Sequence, residues 1–223
     1  MTTDYMTQNQ EISTKQSSPS AKTSQSKLLL SALYLIAAGL LLGSIPFPYW
    51  GLILEAPQYP DGLEMRVFVN EMTGDEDPTL DEVSEIDGLN HYIGMQSLYN
   101  AAKIERAIAL PAVIIMAILL AVAAFWRKRY AWLLALPAFT FPFVFLTDLG
   151  LWMRHYGQNL DPYAPLSSAI APFTPPVLGE GVIGQFKTVS YVNTGWYMVL
   201  GTSVVIAIAW VLQWWVSRQN QGS

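Results

Sequence analysis

The chain has 223 residues, 52% hydrophobic and only 13% charged, with a formal net charge of −5 and no cysteine. Its apolar residues gather in nearly charge-free runs, the mark of a multi-pass membrane protein rather than of a single soluble core. The acidic balance argues against nucleic acid or anionic lipid headgroups as partners, and the missing thiols remove thiolate zinc, iron–sulfur and CxxC redox chemistry.

Residues 1–26 are polar and rich in Ser, Thr and Gln. They offer too little apolar surface to offset the entropy of ordering, and the expectation is a disordered cytoplasmic tail. The first apolar run, Leu28–Ile45, is followed by "PFPYWG" rather than by a small-residue cleavage site, which points to an uncleaved signal-anchor. Further runs lie at Ala107–Trp126, Tyr130–Met153 and Gly195–Val216. Each is close to the roughly 20 residues that a helix needs to cross the hydrocarbon layer, and none alternates as a barrel strand does. The fold class expected is membrane all-α: four transmembrane helices at about 28–46, 105–126, 130–153 and 195–216 within a membrane domain 27–216, followed by a short cytoplasmic tail 217–223.

The cations Arg127, Lys128 and Arg129 form the whole connection between the second and third runs. Cations in so short a loop stay on the cytoplasmic side. Both termini are then cytoplasmic, in keeping with Lys22, Lys27 and Arg218. The long connections 47–104 and 154–194 fall on the outer side, where they are expected to fold together as an extracytoplasmic cap.

The first connection is acidic, with twelve carboxylates against three cations between Trp50 and Arg106. "YPDG" at 59–62 carries the Pro and Gly of a tight turn. After it, Leu63, Met65, Val67 and Val69 alternate with Glu64, Arg66, Phe68 and Asn70, the period of a half-buried strand. The cap is therefore expected to contain some β-structure, with a second short strand near Val83–Ile86. "LNHYIGMQSLYNAAKIERAIAL" reads as a helix leading into the second span, with Asn90 as its N-cap, although Gly94 argues against an unbroken one. The second connection carries Pro162, Pro165, Pro172, Pro175 and Pro176, so packing against the first connection has to order it.

Few residues can carry chemistry. His91 and Met95, four apart, share a face if they lie on one helix. His155 stands at the outer end of the third span, on the same side of the bilayer. Imidazole with thioether suits copper, above all Cu(I), which makes His91, Met95 and His155 the candidate metal ligands and copper the candidate cofactor. The competing reading is that both histidines only make hydrogen bonds at the membrane surface. Asp148 is the one acid inside the apolar runs, and a carboxylate there is costly unless paired or hydrated, which marks it as a membrane-embedded functional acid or a structural anchor. Pro111, Pro137 and Pro142 are expected to kink the second and third spans. The chain contains no GxSxG, HExxH or GxxxxGK pattern, and no helix-central histidine pair for haem.

"LEAPQYPDGLEMRVFVN", "EIDGLNHYIGM", "LTDLGLWMRHYGQNLDPYAP" and "PPVLG" together resemble a family of small four-helix bacterial membrane proteins encoded beside nitrous-oxide reductase and its copper-maturation genes. The resemblance covers about Trp50 to Gly195. His91 and Met95 match the family's pattern, whereas Gln158 stands where the family has His, and His155 where it often has an acid. The resemblance implies a non-enzymatic accessory protein that supports copper delivery, assembly or electron supply for a periplasmic enzyme, with a protein partner at the outer face and the lipid bilayer around the helices. The alternatives are a structural subunit of a respiratory membrane complex, or a small transporter or proton relay using Asp148.

Overall fold

The computed structural model describes residues 19–75, 80–126 and 130–219. The cations Arg127–Arg129, on which the expected orientation rests, lie outside the described residues, as does the tail up to residue 18. Among the described residues the fold comprises five α-helices and a small antiparallel sheet, and four of these helices are long and apolar enough to cross a membrane. Helix α1 covers Pro19–Gly43, α2 Glu82–Ile93, α3 Lys103–Phe125, α4 Leu136–Gln158 and α5 Thr194–Gln219; α1, α3, α4 and α5 contain the apolar spans.

Helix α1 starts inside the expected polar tail, because extending a helix by a residue costs far less than nucleating one. It stops at Gly43, short of the expected end, ahead of Pro46 and Pro48. The Ser44 hydroxyl bonds the Leu41 carbonyl and the Tyr49 hydroxyl, each at 2.6 Å, and so ties this turn down. Helix α4 runs five residues beyond Met153, preceded by a 3-10 turn at Ala131–Ala135. Pro142 lies inside it and supplies no N–H to the ladder. Two donors on α5 compensate nearby: Ser203 Oγ reaches the Phe139 carbonyl at 2.8 Å, and Trp196 Nε1 the Pro142 carbonyl at 3.1 Å. Small residues such as Ala37, Ala117, Ala138 and Ala209 are buried where the helices meet, the means by which helices approach closely in a membrane. Helix α1 packs along both α3 and α5, and α4 along α5; α3 and α4 touch only sparingly.

The strands are β1 Trp50–Ala56, β2 Tyr59–Val67, β3 Met72–Thr73, β4 Gly179–Ile183 and β5 Phe186–Val192. Their order in the sheet is β3-β2-β1-β5-β4, and all pairs are antiparallel. Residues of both long connections thus share one sheet, joined where Trp50 opposes Val192 and Glu55 opposes Lys187. The inner face carries Trp50, Leu52, Leu54, Leu63, Met65 and Phe186, all buried. Phe145 of α4 packs against both this cluster and the core between the helices.

Three expectations are corrected. The hairpin turns at Pro57–Gln58, not at "YPDG". That tetrapeptide lies within β2, where a register irregularity between Leu54 and Ala56 absorbs its extra residues and Gly62 takes φ +80°. Val83–Ile86 is helical rather than a strand. Asp81 caps α2 by accepting from the Ser84 N–H, and Val83, Ile86 and Ile93 bury one side of the helix. Asn90 is consequently an interior residue near the end of α2 and not an N-cap, and the chain breaks twice before α3, at Gly94 (φ +88°) and Ala102 (φ +48°).

Candidate functional site

The site follows from how α3 and α4 stand apart. Each turns one stripe of side chains toward the other without meeting it. On α3 the stripe is Glu105, Ile108, Ala109, Ala112 and Met116; on α4 it is Pro137, Phe141, Val144, Asp148, Trp152 and Tyr156. Both follow the three-to-four-residue spacing of a single helix face. Between them lies a cavity of about 570 Å³, within the size range of small-molecule sites, roofed by the inner face of the sheet and by α2. Its α4 wall extends over residues 137–156, roughly 28 Å at 1.5 Å per residue, so the space is long and reaches from the cap well into the membrane-spanning region.

The lining is apolar and aromatic over most of its area, with polar groups concentrated toward the cap: Asn90, Glu105, Arg106 and Asp148. Asp148 is half-buried and makes no hydrogen bond or ion pair among the described residues; Glu105 lies within its electrostatic reach. Arg106 donates from Nη2 to the Tyr99 carbonyl at 2.8 Å, while its Nε is buried without a hydrogen-bond partner. A buried donor left unpaired costs about 1–3 kcal/mol, which a polar ligand group would recover.

The roof is held where the two long connections meet. Helix α2 ends at Gly94, whose N–H bonds the Asn90 and His91 carbonyls. The Asp161 N–H donates to the Gly94 carbonyl at 2.8 Å, and the Leu166 N–H to the Tyr92 carbonyl at 3.0 Å. "LNHYIGM" thus docks directly on "NLDPYAP". Gln158 Nε2 secures the same loop further on, donating to the Phe173 carbonyl at 2.9 Å and Thr174 Oγ1 at 3.2 Å. Trp50 Nε1 donates to the Val177 carbonyl at 2.6 Å and joins that loop to β1.

The opposite, outer face of the sheet is a charged network. Arg66 makes a bidentate pair with Glu64, at 2.9 Å from Nε and 2.8 Å from Nη2, and reaches Asp75 at 3.0 Å. The Tyr191 hydroxyl donates to Glu64 at 2.7 Å. The hydrogen bond from Arg66 holds the Glu64 carboxyl below its ordinary range, and burial foremost, then the Glu64 contact, pushes the Tyr191 phenol up to about 12. Glu82, buried at the start of α2, accepts from the backbone N–H groups of Glu64 and Asp75 and fastens the helix to the sheet.

The sequence-predicted residues separate. Asp148 and Met95 line the cavity, whereas His91 is exposed. The shared helix face expected for His91 and Met95 does not arise, because α2 ends at Ile93 and the chain reverses through Gly94 before Met95. His155 is exposed, edge-on to Trp152, with Nδ1 3.2 Å from Asn159 Nδ2. Among the described residues no group of three or more His, Asp or Glu side chains is placed to hold one ion. Glu105, Arg106 and Asn90 are the cavity residues that sequence reasoning missed. They gave no signal of their own, because charged and polar residues just before or in the opening turn of an apolar helix are ordinary.

Comparison of the chain with protein-family models, curated proteins and solved structures gave no match.

Proposed function

We propose that the chain is an accessory protein of the bacterial inner membrane, with both termini cytoplasmic and no catalysis of its own. In this reading its outer cap serves a periplasmic enzyme of the nitrous-oxide-reductase type, in copper delivery, assembly or electron supply. The observation that carries it is the roofed cavity: a cap built from both long connections covers a space that continues between α3 and α4. A partner docked on the cap would meet whatever the cavity holds at its polar end. Met95 lines the cavity while His91 and His155 are exposed, which favours a division of labour in which the partner, not this chain, ligates the copper.

The test is affinity purification of the full chain from a native membrane, with mass spectrometry and metal analysis. The expected result is capture of a copper-handling or reductase-type partner, and no more Cu(I) on the isolated chain than on its His91→Ala, Met95→Ala variant. Exclusive capture of respiratory-complex subunits would refute the reading in favour of a structural subunit. A second reading, a proton relay or transporter, is favoured by the position of Asp148 on the cavity wall. It requires that Asp148→Asn abolish proton flux in reconstituted vesicles while the chain still assembles.

A further inference from the structure

We infer that the cavity between α3 and α4 is a binding site for a quinol or quinone drawn from the bilayer, with its ring at the cap end and its isoprenoid tail along the α3–α4 gap. This inference rests on the cavity as the place of action and not on which periplasmic partner docks above it.

Three features of the cavity select this class. The first is shape. The space is long and lies between two helices that barely touch, so a molecule dissolved in the membrane can enter sideways, and Ile108 and Val144 at 57% exposure each border the gap. The second is the polar end. Arg106 Nε is a buried donor without an acceptor, and the Asp148 and Glu105 carboxylates line the same cavity as acceptors. A quinol ring answers both, one hydroxyl oxygen accepting from the guanidinium and the hydroxyl at the opposite edge donating to a carboxylate, whereas a quinone carbonyl meets the guanidinium alone. The third is the aromatic surround: Trp50, Phe145, Trp152, Tyr156 and Phe186 line the cap half and suit a planar ring.

The other occupants fit less well. A phosphate headgroup would meet two carboxylates and a single guanidinium, one nitrogen of which already serves the Tyr99 carbonyl. A partner's transmembrane helix is about 10 Å wide, and three turns of it would exceed the roughly 570 Å³ present. The inference concerns binding and assigns no electron transfer to this chain.

The experiment uses the purified full chain in phosphatidylcholine nanodiscs with an azido-ubiquinone photoprobe. Peptide mapping should find the label within residues 105–116 and 137–156. Decylubiquinol should compete it away, and added phosphatidylglycerol should not. Ala112→Trp, which fills the tail channel from α3, should cut labelling by about tenfold, since a packed space that gains an indole has no room for a second occupant. Label spread over the lipid-facing sides of α1 and α5, indifference to decylubiquinol, or equal displacement by phosphatidylglycerol would overturn the proposal. Should Ala112→Trp fail to fold, the map and the competition on the unaltered chain decide alone. Failure to capture a periplasmic partner would leave this result untouched, and failure of labelling would leave the docking reading intact.

Discussion

Gly94→Ala tests how the roof of the cavity is held. Gly94 has φ +88°, in the left-handed region, where a side chain costs about 1–2 kcal/mol. A Cβ there would also lie 2.8 Å from the Asp161 carbonyl oxygen and 2.9 Å from its nitrogen, so the second connection has to back away. The hydrogen bond from the Asp161 N–H to the Gly94 carbonyl then weakens, at a further cost of about 0.5–1.5 kcal/mol. Together the loss is about 1.5–3.5 kcal/mol, a roughly 10- to 400-fold rise in the population with the roof undocked. Gly88→Ala is the matched control. It lies in the same helix with nothing within 4 Å of its virtual Cβ, and gains up to about 1 kcal/mol from helix propensity. Hydrogen exchange across residues 81–98 and 159–170 reads both: faster in Gly94→Ala, unchanged or slower in Gly88→Ala. Equal exchange in Gly94→Ala and the unaltered chain, or acceleration by Gly88→Ala, would refute the docking assigned to this turn.

The outer-face network predicts a pH profile. Because the folded Glu64 carboxyl sits below its ordinary value, its contribution is present above the unfolded pKa of about 4.3 and is lost as pH falls through the folded value. Tyr191, raised to about 12, contributes below its unfolded value of about 10, and that contribution is lost as pH rises toward 12. Proteolysis of the cap should therefore accelerate at both extremes, with Glu64→Gln flattening the acid limb and Tyr191→Phe the alkaline one. Gly51→Ala should loosen the same network, since its Cβ would lie 2.6 Å from the Tyr191 ring; loss of the alkaline limb in this variant is the measurement. Ser203→Ala should lower the thermal midpoint in detergent only slightly, in line with about 0.6 kcal/mol for an average interhelical hydrogen bond in a membrane, and a large drop would show that the Phe139 carbonyl finds no substitute donor.

The four spans were legible because bilayer thickness imposes a length and a composition that no other constraint imitates. Their ends were less so: α4 continues to Gln158 because Gln158 and Gly157 find partners in the second connection and Tyr156 one in the first, contacts outside the apolar run. The strand at Leu63–Val67 showed in its alternation, whereas β1, with Trp50, Leu52 and Leu54 buried on one side and Gly51 beneath a tyrosine on the other, reads as a plain apolar stretch. Val83–Ile86 misled because four residues cannot distinguish period two from the start of a helix; Asp81, three before Ser84, was the signal for the latter. Asp148 stood out as a lone acid in hydrocarbon. Glu105 and Arg106 did not, since charges at a span's end are ordinary until the neighbouring helix is seen to stand away from them.

The sheet order has a bearing on how the protein is made. Strand β1 sits in the middle, with β2 on one side and β5 on the other, yet β5 is synthesised only after the two long apolar helices α3 and α4. At ribosomal speed that interval is on the order of ten seconds, during which the hairpin waits with the backbone of Trp50–Ala56 unpaired along one edge. A nascent chain in this condition is a client for any holding factor that covers the open edge. Slowing synthesis between α4 and β5 should expose it to aggregation and to proteases, whereas a delay after β5 should be harmless.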